Sequence, residues 1–249
     1  MKKILTGIIT FFCPSFLMRF LLRCMGHKIG KNVKVGFSFL VIKKIELGDH
    51  VRIGHFNLFL NDRITLQSNV IIGYLNIFKG PFGLILSEKA AIGNKNYLTR
   101  ARLGITYGES NLSLGELTKV TTGHHLDLTR SIRFGDFSIL AGIRSQLWTH
   151  GYYHADQGKD RVRIDGQINI GHNVYIGSGC IFNPGVNVAN AVHIGGGSVI
   201  SKDLDQPGMY VGQGLRYLEN NLETIKLKLD RIEDSDLIEE VYSKKANPK

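Results

Sequence analysis

The sequence is poor in cysteine and proline, and it has no acidic residue before position 46. Three cysteines in 249 residues exclude a scaffold built on disulfides. Cys13, Cys24 and Cys180 show no C-x-x-C spacing, which excludes a zinc finger. Five prolines against 29 glycines describe a chain with many tight corners. With 43% hydrophobic and 21% charged residues, the composition is globular and excludes a wholly disordered chain. The length allows one large domain or two small ones, with a real core.

The missing acids locate the charge. The net charge is +10, and nine basic residues stand before Glu46: Lys2, Lys3, Arg19, Arg23, Lys28, Lys31, Lys34, Lys43 and Lys44. Charge crowded into one terminus, not striped along the chain, argues against nucleic acid as a partner. Between the early cations, residues 4–25 are mostly apolar. No A-x-A cleavage site follows, as a signal peptide would require. Pro14, Arg19 and Arg23 interrupt the run, which spoils a transmembrane helix of about 20 apolar residues. What remains is an amphipathic helix from about Ser15 to Met25, within a basic segment 1–27. It has two compatible roles, capping the following domain and contacting an anionic membrane surface through residues 1–26.

A period of six runs through the chain. Apolar residues recur at Ile164, Ile170, Ile176, Phe182, Val188, Ile194 and Ile200. A second small or apolar series follows four positions on: Ile168, Val174, Cys180, Val186, Val192, Ser198 and Leu204. Weaker frames begin at Ile29, Leu66, Leu86 and Phe134. Six is neither a helical nor a plain strand period. It describes a triangular coil, each hexapeptide giving one short strand and one corner, with stacked turns burying a continuous core. The coil is expected over 28–205, interrupted by a polar loop at 151–163. The apolar series Leu218, Leu222, Ile225, Leu229 and Ile232 predicts an amphipathic helix within 206–249.

Residues 173–204 resemble the hexapeptide-repeat acyltransferases, in the branch that acetylates sugars and polysaccharides. The resemblance covers about 28–218. It implies an all-β fold, a left-handed parallel β-helix, here with short N-terminal and C-terminal helices. It implies an enzyme using acetyl-CoA, with no metal expected, and a homotrimer with sites between subunits. Reduced cysteines and acetyl-CoA supply fit a cytoplasmic location, with the membrane's inner face as an extension of it.

Residues 142–154 resemble the segment that holds the catalytic base in sugar O-acetyltransferases. Thr149-His150 matches it, so His150 is the expected general base. An alcohol attacks a thioester poorly unless its proton leaves during attack, and imidazole suits that task. Residues 124–129 resemble a His-x-x-Asp element of the polysaccharide-associated branch. Asp127 is then a catalytic orienting group and His125 an acceptor-binding one. Arg144, Tyr153 and His154 are further acceptor candidates. For the donor, the resemblance implicates Ser178, Gly196, Ser201 and Lys202. Arg216 joins them, although its Gly212-Gln213-Gly214-Leu215 approach departs from the family's pattern.

The expected reaction is acetylation of a sugar hydroxyl on a cell-surface polysaccharide or its lipid-linked precursor. N-acylation of an amino sugar on a nucleotide or lipid carrier is the alternative. A zinc hydratase built on His150 and His154 would need a third histidine. A β-helical scaffold without chemistry is the non-enzymatic reading.

Overall fold

The computed structural model describes residues 2–154, 161–212, 216–218, 227, 229–232 and 241–244. The chain forms a left-handed parallel β-helix of about 9 turns, with two short helices at its N-terminal end. Its strands make three walls. One begins with Lys28–Ile29 and climbs through Lys44–Leu47 to Asn187–Val188. The second runs from Lys34–Val35 to Gly208–Val211, and the third from Phe39–Leu40 to Val199–Ile200. The backbone bonds run along the coil axis, each turn donating to the next. The register follows the repeat: Tyr175 pairs with His193 and Ile176 with Ile194, 18 residues on.

The repeat explains the core. Ile170, Ile176, Phe182, Val188, Ile194 and Ile200 are all buried, as is the whole series from Ile168 to Leu204. Two positions correct the expected frame. Ile164 is 54% exposed, because it lies on a strand that leaves the coil. The frame that begins at Phe134 carries an inward position to Gln146 by its period of six, yet Leu147 fills the core instead, because Gly142–Arg144 insert an extra corner residue. Gly142 needs its glycine there: its φ is 68°, and a Cβ would overlap Ser178 Oγ.

One corner carries a polar ladder inside the coil. Asn57 Oδ1 accepts from Asn76 N at 2.9 Å, Asn76 Oδ1 from Asn96 N at 2.9 Å, and Asn96 Oδ1 from His124 N at 2.9 Å. His124 Nδ1 then accepts from Ser145 N at 3.2 Å. A nitrogen that accepts cannot also hold a proton, so Nε2 carries it. Burial pushes the His124 pKa down to about 4, with a backbone bond to Leu140 opposing.

At the N-terminal end, helix α1 (Lys2–Phe12) precedes helix α2 (Ser15–Cys24). The second matches the expected helix, while α1 is additional. Met18 and Leu22, one turn apart, close over the first turn of the coil. Arg19 Nη1 donates to Val33 O at 3.1 Å, and Arg23 donates to Ile29 O and Gly30 O. The two arginines that sequence alone offers to a bilayer thus satisfy carbonyls at the open end of the coil.

The segment read as a loop at 151–163 is largely an antiparallel arm. His150–His154 pairs with Arg161–Asp165 in a register that sets His150 against Asp165. Residues 155–160 lie outside the described ones. At the other end, Gly208–Val211 still pairs in parallel with Val192–Ile194, and Arg216–Leu218 folds back against it. Of the expected C-terminal helix, 219–226 lie outside the described residues, and Leu229–Ile232 is a strand paired with Val241–Lys244.

Candidate active site

The site is built on the corner that follows the third wall, at the fifth and sixth turns. Asp127 ends the strand His125–Asp127 and is buried. His150 begins the arm one turn up. His150 Nδ1 lies 2.8 Å from Asp127 Oδ2. Thr149 N donates to the same oxygen at 3.0 Å, and Thr149 Oγ1 lies 2.7 Å from it. Thr129 Oγ1 donates to Oδ1 at 2.9 Å and sits 3.2 Å from His150 Nδ1. An ionised carboxylate only accepts, so the short contact places the proton on Nδ1. Nε2 keeps its lone pair, on a side chain that is 32% exposed. A buried carboxylate that orients a partly exposed imidazole is an arrangement able to accept a proton at Nε2, which has no hydrogen-bond partner among the described residues. Asp127 and His150, the two residues to which the resemblance gives catalytic roles, are in contact.

A row of rings leads across this corner. His125 lies 4.8 Å from Trp148, centroid to centroid, and Trp148 lies 6.3 Å from His150. The row continues up the arm through Tyr152 at 6.2 Å to His154 at 6.1 Å. On the other side Tyr97 is 5.1 Å from His125. Burial lowers the His125 pKa, and the Asp127 charge opposes that shift. Trp148, Tyr152 and Tyr97 escaped the sequence reading. Trp148, His150, Tyr152 and His154 alternate at period two, the strand signal that would have put them on one face.

The remaining candidates divide between places. His125 and His154 stand in the ring row. Tyr153 is on the arm opposite Val162, its side chain outside the described set. Arg144 is exposed at a different corner, with φ of 65°. Ser178 and Gly196 share Arg144's corner and stack as their spacing of 18 requires: a Cβ on Gly196 would lie 3.1 Å from Ser178 O. Next to them, a Cβ on Gly179 or Gly197 would meet nothing within 4 Å. Ser201 and Lys202 are exposed on the dyad's own corner, two turns up, roughly 10 Å along the axis. Arg216 lies in the strand that folds back on Met209–Val211, its side chain also outside the described set. Among the described residues no group of three His, Cys, Asp or Glu side chains could hold a metal ion.

No family model matches the chain. Over 120 residues it is 27% identical to galactoside O-acetyltransferase of Escherichia coli strain K12, covering 48% of this chain and 59% of that protein. Over 206 residues it is 26% identical to the bifunctional protein GlmU of Paracidovorax citrulli, covering 77% of this chain and 39% of that protein. The chain thus spans less than two thirds of either relative. Among solved structures it superposes on the polySia-specific acetyltransferase NeuO with a TM-score of 0.55 at 18% identity, covering 78% of this chain and 87% of that one. It superposes on UDP-N-acetylglucosamine acyltransferase of Campylobacter jejuni with a TM-score of 0.57 at 16% identity, covering 82% and 75%. These likenesses show the fold, a left-handed β-helix of hexapeptide repeats. In this hexapeptide-repeat protein the segment of highest regularity, 168–204, is also the one that carries Ser178, Gly196, Ser201 and Lys202.

Proposed function

We propose that the protein transfers an acetyl group from acetyl-CoA to a sugar hydroxyl, with His150 as general base. The observation that carries this reading is the dyad, in which Asp127 Oδ2 holds His150 Nδ1–H at 2.8 Å and leaves Nε2 to act. The acceptor oxygen attacks the thioester carbonyl carbon as its proton passes to Nε2. The tetrahedral intermediate collapses, the C–S bond breaks, and Nε2–H returns the proton to the departing sulfur. Asp127 stabilises the imidazolium between these steps. An ester and free CoA are the products.

The ring row supports a sugar acceptor, because apolar sugar faces stack on aromatic side chains. Trp148 stands beside His150 for that purpose. Lys202 supports the donor assignment as an exposed cation with no acidic partner among the described residues, suited to a phosphate. The open glycine corner at 179 and 197 supports close passage of a pantetheine arm. That corner and the Lys202 corner are separated by a wall within one coil, and a homotrimer would set one subunit's corner beside another's.

Two experiments test the reading. Saturating acetyl-CoA at about 100 times its Kd should stabilise the fold by about 2.7 kcal/mol, and Lys202→Glu should weaken the shift. Acetylated product should release acetate in mild base, as an ester does. A base-stable amide would transfer the reading to an amino-sugar acceptor, and no shift with acetyl-CoA would refute the donor.

A further inference from the structure

We infer that the N-terminal cap seats the coil end-on against an anionic membrane, so that the dyad stands well above the bilayer and acts on a tethered glycan. The statement about the acceptor rests on the acyl-transfer reading, and the seat itself does not. α1 and α2 bury one face against the first turn and leave the other uncovered. Ile4, Leu5, Ile8, Phe12, Phe16 and Phe20 are each at least 46% exposed. Six large apolar side chains exposed on two helices that pack on each other are a surface of the kind that marks an interaction site.

The charges around the patch select its occupant. Lys28 and Lys44 lean on Glu46, and Lys3 and Lys43 on Asp62. Lys2, Lys31 and Lys34 are exposed and have no acidic partner among the described residues. With no acid in residues 1–45, an apolar face in a basic rim complements anionic headgroups over an acyl boundary. Arg19 and Arg23 are engaged with carbonyls, so binding falls to the apolar side chains and the lysines. No helix among the described residues is long and apolar enough to cross a membrane, so the helices lie in its surface.

The seat fixes a height. Five strand-to-strand steps separate Phe39–Leu40 in the first turn from Gln146–Leu147 beside the dyad. At about 4.8 Å each they amount to roughly 24 Å, and the helix layer adds about 10 Å. A sugar joined directly to a lipid diphosphate lies too low. The acceptor this geometry takes is a membrane-tethered chain with several sugars between lipid and acetylated hydroxyl.

Full-length protein is floated with neutral phosphatidylcholine vesicles and with vesicles containing phosphatidylglycerol. The expected result is partition onto the anionic vesicles, weakened by salt and reduced at least about tenfold by Phe16→Ser/Phe20→Ser. Both phenylalanines are exposed, so the variant should keep its melting temperature and its transfer to a soluble sugar. No partition, or equal partition of the two proteins, overturns the proposal. So does light scattering in which the variant drops to a smaller oligomer, which would assign the face to a second copy. Vesicle binding without any acetyl transfer would instead refute the acyl-transfer reading and leave the seat standing.

Discussion

Asp127→Asn isolates the charge of the dyad from its geometry. Asp127 Oδ2 receives Thr149 N–H at 3.0 Å as well as His150 Nδ1–H. An amide nitrogen at that position would oppose two donors, so the new side chain keeps its oxygen there. Its NH2 then takes the Oδ1 position, where Thr129 Oγ1 at 2.9 Å can turn to accept and only the longer bond from Thr129 N, at 3.3 Å, is lost. The tautomer of His150 survives and the imidazolium loses its counter-charge. Replacing a charge-assisted hydrogen bond by a neutral one costs about 1–1.5 kcal/mol, and loss of the counter-charge adds to it. The expected fall in kcat is about 10- to 100-fold, with little change in the acceptor KM. Asp127→Leu leaves the Thr149 N–H without its acceptor and His150 Nδ1 with only Thr129 Oγ1 at 3.2 Å, so it should cost more activity and also about 1–3 kcal/mol of stability. Steady-state rates and urea melts of both variants check this. An Asn variant at wild-type rate would detach Asp127 from the base. An Asn variant as inactive as the Leu variant would refute the bond assignment around Oδ2.

Trp148→Ala should raise the acceptor KM about tenfold or more while leaving the acetyl-CoA thermal shift intact, because it removes a stacking face and no donor contact. Acid should unfold the protein partly through His124. Its folded pKa, about 4, lies below its unfolded value near 6.5. The stabilisation is therefore complete above pH 6.5 and is lost as pH falls from 6.5 to 4, by roughly 3 kcal/mol at most. His124→Asn should flatten that part of the stability profile, since an asparagine continues the ladder of Asn57, Asn76 and Asn96; an unchanged profile would exonerate His124. Gly142→Ala should destabilise by at least about 1 kcal/mol in a thermal melt, from its positive φ and from the overlap with Ser178 Oγ.

The coil was readable because its period follows from its geometry. Every turn must present an apolar residue inward and a small one at the corner, so Ile170 to Leu204 repeat both in the sequence and in the core. Frame breaks were harder. Ile164 continues the period by spacing, yet it lies on the arm, since nothing local distinguishes an exposed strand isoleucine from a buried one. The internal ladder was hidden because its members, Asn57, Asn76, Asn96, His124 and Ser145, are unevenly spaced by insertions at other corners. Asp127 and His150 were legible through resemblance to a motif. Their contact, across 23 residues, required the turn height that only the fold supplies. Trp148 is not legible although the alternation from Trp148 to His154 is present, because the polar composition of 151–163 describes a loop as readily as an arm. Arg19 and Arg23 show the converse limit: charge in a sequence does not say whether its partner is a headgroup or a carbonyl.

The most direct test is acetyl transfer from labelled acetyl-CoA to a panel of mono-, oligo- and polysaccharides by wild-type protein and His150→Ala, matched for acetyl-CoA thermal shift. The account predicts an ester product with wild type and a rate lower by about 10²- to 10⁴-fold with His150→Ala. Transfer by His150→Ala at the wild-type rate would contradict it.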